Sequence, residues 1–71
     1  MVNSSKIKER AKTLGIRQRD IALTLGLRQS TVNQKINNVR PMLLEEAEQI
    51  AKLLKISDAD FAVYFFSNGV A

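Results

Sequence analysis

An all-α fold of five short helices is what this 71-residue chain predicts, and three observations carry the expectation. Apolar residues recur at spacings of three and four along most of its length. The stripes end at glycine or asparagine, and polar or acidic residues stand at several of their starts. With no Cys and no His, neither disulfides nor thiolate or imidazole metal sites are open to it, so the core has to come from packing alone.

Ser4 and Ser5 precede Ile7, Ala11 and Leu14, and Gly15 follows, which reads as a serine-capped amphipathic helix with a left-handed stop. A second helix is expected from Gln18 to Leu25, with Ile21, Ala22 and Leu25 on one face, Asp20 in the first turn and Gly26 as its stop. A third runs from Gln29 to Asn37 with Val32 and Ile36 inward, and Asn37-Asn38 followed by Pro41 mark its end. From Met42 to Lys55, Leu43 or Leu44, Ala47, Ile50, Ala51 and Leu54 keep helical spacing. Glu45, Glu46 and Glu48 lie toward the start of that segment and Lys52 and Lys55 toward its end, which complements a helix dipole. Ser57 with Asp60 resembles a capping box opening a short last helix, with Phe61, Tyr64 and Phe65 on one side. The run from Phe61 to Phe66 is aromatic and β-branched enough to suit a strand as well, and the capping signal and short length favour helix.

The length suits one domain, residues 1–71, with one modest core and no room for a deep cleft. Its apolar residues never run unbroken for the roughly 18 positions of a membrane span, and no signal-like stretch opens the chain. The expectation is a cytoplasmic protein, with no membrane contact, cofactor, metal or small-molecule ligand. The net charge of +4 is unevenly placed. Residues 1–40 carry nine Lys or Arg against Glu9 and Asp20, whereas residues 41–71 carry two against five acids. A basic half suits a polyanion, because neutralising phosphates releases counterions, and it also suits an ordinary solvated surface. An enzyme is the poorest option, since without His or Cys, and with no carboxylate beside an evident nucleophile, the usual acid-base and covalent roles are vacant.

The second and third helices are joined by too few residues to fold back flat, so they must cross steeply with close backbones. Ala22 supplies the small side chain at the crossing, Gly26 the positive φ at the turn, and Val32 the inward β-branched residue that pins the third helix. The same triplet also occurs in helical hairpins that only build a core. The outer face of the third helix argues further. Gln29, Ser30, Thr31, Asn33 and Gln34 are neutral hydrogen-bonding residues where a surface built for stability would use Glu, Lys and Ala. Amides can bond adenine in bidentate fashion, and Ser and Thr suit varied base edges, so this face has the chemistry for a major groove.

On these residues and the segment RQRDIALTLGLRQSTVNQKINN, the stretch 4–56 resembles the Cro proteins and repressor N-terminal domains of lambdoid bacteriophages. The resemblance implies a lambda-repressor-like helix-turn-helix domain, closest to an all-helical Cro, that represses by binding double-stranded operator DNA. It further implies that Gln18 bonds a phosphate and braces Gln29, that Gln29 contacts an adenine, and that Ser30, Thr31, Asn33 and Gln34 line the groove. Arg28 is open to a guanine edge or a phosphate. Three positions depart from the family pattern. Arg17 stands where a Thr or Ser cap is common, trading a cap for a phosphate partner. Lys35 occupies a frequently apolar position, its stem expected on the core edge with its ammonium reaching the DNA backbone. Leu23 lies on a usually polar face, either packing on the C-terminal part, making a contact, or simply exposed.

The expected backbone contacts are therefore Arg17, Gln18, Arg19, Lys35, Asn37 and Arg40, with Asn38 offering a further amide. Of Lys6, Lys8, Arg10 and Lys12, which point in several directions, at most one or two are expected to matter. One module reads about four or five base pairs, too few for a genome, so a homodimer on a pseudo-palindromic operator is expected, its reading helices about 34 Å apart. Residues 57–66 are the expected dimerisation segment, with Phe61 and Phe65 completing the core and Val63, Tyr64 and Phe66 making the contact. Two rival readings stand beside this one: an antitoxin-like or chromosomal regulator with the same motif, and a helical interaction module whose basic half meets an acidic protein.

Overall fold

The computed structural model describes residues 1–66, so the end of the expected 1–71 domain lies outside the described residues. Among the described residues the chain forms α1 (Ser4–Leu14), α2 (Gln18–Leu25), α3 (Gln29–Ile36), α4 (Leu44–Leu53) and α5 (Asp58–Phe65), with no strand. The fold is all-α, and the aromatic run that also suited a strand is helical. Ser57 explains this locally: its side chain accepts the Asp60 N–H and starts α5. None of these helices is long and apolar enough to cross a membrane.

The starts of α1 and α4 differ from expectation. Asn3, not a serine, caps α1, its Oδ1 accepting the Lys6 N–H at 3.2 Å, and both serines lie inside the helix. α3 stops one residue early, with Asn37 as its cap, and α4 is narrower at both ends than the 42–55 stripe. The apolar pattern extends past the helix because Met42 and Leu54 pack on the core from the flanking turns.

Four of the five helices end alike. The chain enters the left-handed region at Gly15, Gly26, Asn38 and Lys55, and the following N–H reaches back to a carbonyl in the last turn. Ile16 donates to Ala11, Leu27 to Ala22, Val39 to Gln34 and Ile56 to Ala51, at 2.8 to 3.0 Å.

Each helix contributes to one core. Ile7, Ile21, Val32, Ile36, Ile50 and Leu54 are fully buried, with Ala11, Ala22, Ala47 and Ala51 allowing close approach and Phe65 closing one end. α2 packs against both α3 and α4, while α5 lies against α1. Phe65 is inside as expected. Phe61 is half-buried, its ring 4.8 Å from Phe65 and 5.6 Å from Phe66.

Candidate nucleic-acid interface

Gly26, Leu27 and Arg28 are the whole connection between α2 and α3. Gly26 takes φ 69°, which lets Leu27 turn back onto Ala22 and drop its side chain on the core. Ala22 and Val32 are buried, at 4% and 1% exposure, so the triplet read from spacing does sit where the two helices meet. At the start of α2 the Asp20 carboxylate accepts the Arg17 N–H at 2.8 Å, replacing the cap that an arginine side chain cannot make.

Val32, Lys35 and Ile36 hold one side of α3 inward. The opposite side is open to solvent: Arg28, Gln29, Ser30 and Asn33 are exposed, and Thr31 and Gln34 are half-buried. Arg17 and Arg19 are exposed at the start of α2 and Arg40 in the loop after α3, so exposed positive charge stands before and after the α2–α3 unit in the chain. Gln18 is half-buried between the two helices. Its Oε1 accepts from Asn33 Nδ2 at 3.4 Å, so the brace implied for Gln29 is made to Asn33 instead. One turn of helix separates those two positions, and Asn33 is the one that comes level with Gln18.

Three of the residues expected to meet the DNA backbone, Lys35, Asn37 and Asn38, have partners within the fold, and the inward turn of Lys35 corrects the expectation that its ammonium faces outward. Lys35 is buried, and its ammonium turns inward to Glu46 Oε1 at 2.7 Å and the Pro41 carbonyl at 3.3 Å. An acceptor and a carbonyl under the stem attract the charge more than solvent does, so Lys35 locks α3 to α4 and does not reach a phosphate. Asn37 is engaged by its own helix and by α1: Nδ2 donates to the Asn33 carbonyl, and Oδ1 accepts from Lys8 Nζ at 2.6 Å and Ser4 Oγ at 3.1 Å. Asn38 is half-buried, its side-chain amide paired with the Val2 backbone.

Glu46 has a second bond, from the Leu43 N–H at 2.9 Å at the start of α4. Burial pushes its carboxyl up, but the Lys35 hydrogen bond, the Leu43 N–H and the Lys35 charge together outweigh burial and hold it below its usual value.

Among the first-helix cations, Arg10 donates to the Leu54 and Lys55 carbonyls at 2.9 and 3.1 Å, closing the C-terminal end of α4. Lys6 stands 5.2 Å over the Tyr64 ring. Sequence reasoning did not find Arg10, Glu46 or Asn38 as fold-holding residues, because their partners across the fold are 11 to 45 positions away or are backbone groups of no particular residue type. Leu23 is 80% exposed and does not pack on the C-terminal part.

On α5, Val63 and Phe66 are exposed at 49% and 62%, and Phe66 borders a groove with Met1, Val39 and Met42. Tyr64 is less free than expected. It is half-buried against the core, with Lys6 over its ring and its carbonyl accepting the Asn3 N–H at 2.7 Å.

Comparison with known proteins finds no match among curated proteins or solved structures. Residues 7–61 match a family model described as Helix-turn-helix.

Proposed function

The chain belongs to the helix-turn-helix family of DNA-binding transcription regulators, and from that premise we propose that it is a Cro-type repressor of the lambdoid phage kind. It binds a pseudo-palindromic operator as a homodimer, with α3 in the major groove. The observation that carries this reading is the two-sided character of α3: Val32, Lys35 and Ile36 are buried, while Arg28, Gln29, Ser30 and Asn33 stand exposed without an acid among them. A helix docked this way presents amides and hydroxyls to base edges.

Gln29, Ser30, Thr31, Asn33 and Gln34 read bases in this proposal, with Arg28 at the edge of the groove. Arg17, Gln18, Arg19 and Arg40 grip the phosphates on either side. With its Oε1 committed to Asn33, Gln18 keeps its own NH2 for a phosphate, and Asn33 keeps one N–H and its Oδ1 for an adenine. Val63 and Phe66, with the outer edge of Tyr64, make the two-fold contact that sets two reading helices about 34 Å apart.

Selection from random duplexes tests all of this in one experiment. The expected result is an enriched, roughly palindromic site with half-sites about one helical turn apart. Weak binding indifferent to sequence would overturn it and favour a module for an acidic protein partner.

A further inference from the structure

The left-handed stops of α1 and α2 are glycines, the residue that enters positive φ without cost. At the end of α3 the same position is Asn38, with φ 63°. Asparagine tolerates that region better than other side chains but less well than glycine, so its presence calls for something the side chain does. The structure shows it. Asn38 Oδ1 accepts the Val2 N–H at 2.8 Å and Asn38 Nδ2 donates to the Val2 carbonyl at 3.0 Å, a two-way pairing of one side-chain amide with one backbone residue. Val2 is itself buried at 7% exposure, and the next residue, Asn3, donates its N–H to the Tyr64 carbonyl of α5. Residues 2 and 3 thus form a strap from α5 to the turn after α3.

That turn carries Arg40. It is held at two further points: the Gln34 carbonyl accepts the Val39 and Arg40 N–H groups at 2.8 and 3.2 Å, and Lys35 binds the Pro41 carbonyl. Arg40 is exposed between these anchors. We propose that Asn38 is a positioning residue for DNA binding, which through its clamp on Val2 holds the 37–41 turn so that Arg40 is aimed at a phosphate. The inference rests on the proposed function, since it presumes that the face beside Arg40 meets DNA. A fixed turn spares the ordering cost that a loose loop would meet on binding.

The test is a double-mutant cycle on the duplex recovered by selection, read by fluorescence anisotropy over a salt series. Asn38→Gly keeps the positive φ and deletes both clamp bonds, so the helices should stay folded by circular dichroism. Val2→Pro removes the N–H that Asn38 Oδ1 accepts, and so weakens the clamp from the other side by one of its two bonds without altering the turn itself. In the parent protein, Arg40→Ala is expected to weaken binding about tenfold and to reduce the salt slope by about one. In either clamp variant the same substitution should cost about twofold or less, with the slope already shallow. Equal loss from Arg40→Ala in all three backgrounds overturns the inference and leaves the DNA-binding reading standing. An Arg40→Ala change without effect in the parent protein overturns both the phosphate role of Arg40 and the role given to Asn38.

Discussion

Asn33 donates its side-chain amide to Gln18 across the gap between α3 and α2, and Gln29 is left without that brace. In the proposed function, base reading is therefore split between a side chain steadied by its neighbour and one without that bond. Gln18→Ala and Asn33→Ala should be non-additive on the selected duplex, whereas Gln18→Ala and Gln29→Ala should add. Gln29→Ala is expected to cost about 1 to 3 kcal/mol on that duplex and little on random DNA. Binding titrations of the five variants check both, and equal loss on both DNAs for Gln29→Ala would count against base reading.

Lys35 separates a fold contact from a DNA contact. Lys35→Met keeps the stem and removes the ammonium, so it should lower stability by about 1 to 3 kcal/mol through the loss of the Glu46 and Pro41 partners. Because the ammonium points inward, the salt dependence of DNA binding should keep its slope. A slope reduced by about one would return Lys35 to the phosphate contacts.

Glu46 makes stability depend on acid pH in a definite direction. Its folded carboxyl lies below the ordinary 4.5, so its contribution is fully present above that value and is lost as pH falls through the folded one. Glu46→Gln should therefore be less stable than the parent near neutrality, with the gap narrowing as pH falls below 4.5 and through the lowered folded value. Urea unfolding of both proteins along a pH series measures it.

Gly26 is the residue on which the α2–α3 turn depends. A methyl group there would meet no atom within 4 Å, so crowding is not the obstacle, and the strain comes from φ 69° alone. Gly26→Ala should cost about 1 to 2 kcal/mol, and Gly26→Asn less, in thermal or urea unfolding.

Arg10 should behave as a structural cation. Arg10→Ala removes two bonds to the end of α4 and is expected to lower stability by about 1 to 2 kcal/mol while the affinity of the folded protein for DNA holds.

Val63 and Phe66 carry the proposed two-fold contact. Val63→Lys and Phe66→Lys should leave the helices intact, since both side chains are exposed, and shift the protein toward monomer in sedimentation equilibrium. An unchanged oligomeric state in both variants would move the contact elsewhere, Leu23, Val39, Leu43 and Leu44 being among the other exposed apolar residues.

What was legible in the sequence was local. The limits of α2, the two glycine stops, the Ser57 cap and the burial of Ala22 and Val32 all follow from interactions within a few residues, where helical geometry fixes who meets whom. Residue types along α3 likewise told which face could stay wet. The directions of long or amide side chains were decided by the tertiary structure. Lys35 points inward because α4 brings Glu46 beneath it, Asn38 serves Val2 from 36 positions away, and Arg10 reaches carbonyls 44 and 45 positions on. A flexible charged or amide side chain goes to its best partner, and when that partner is a backbone group of a remote segment, no residue type in the sequence announces it.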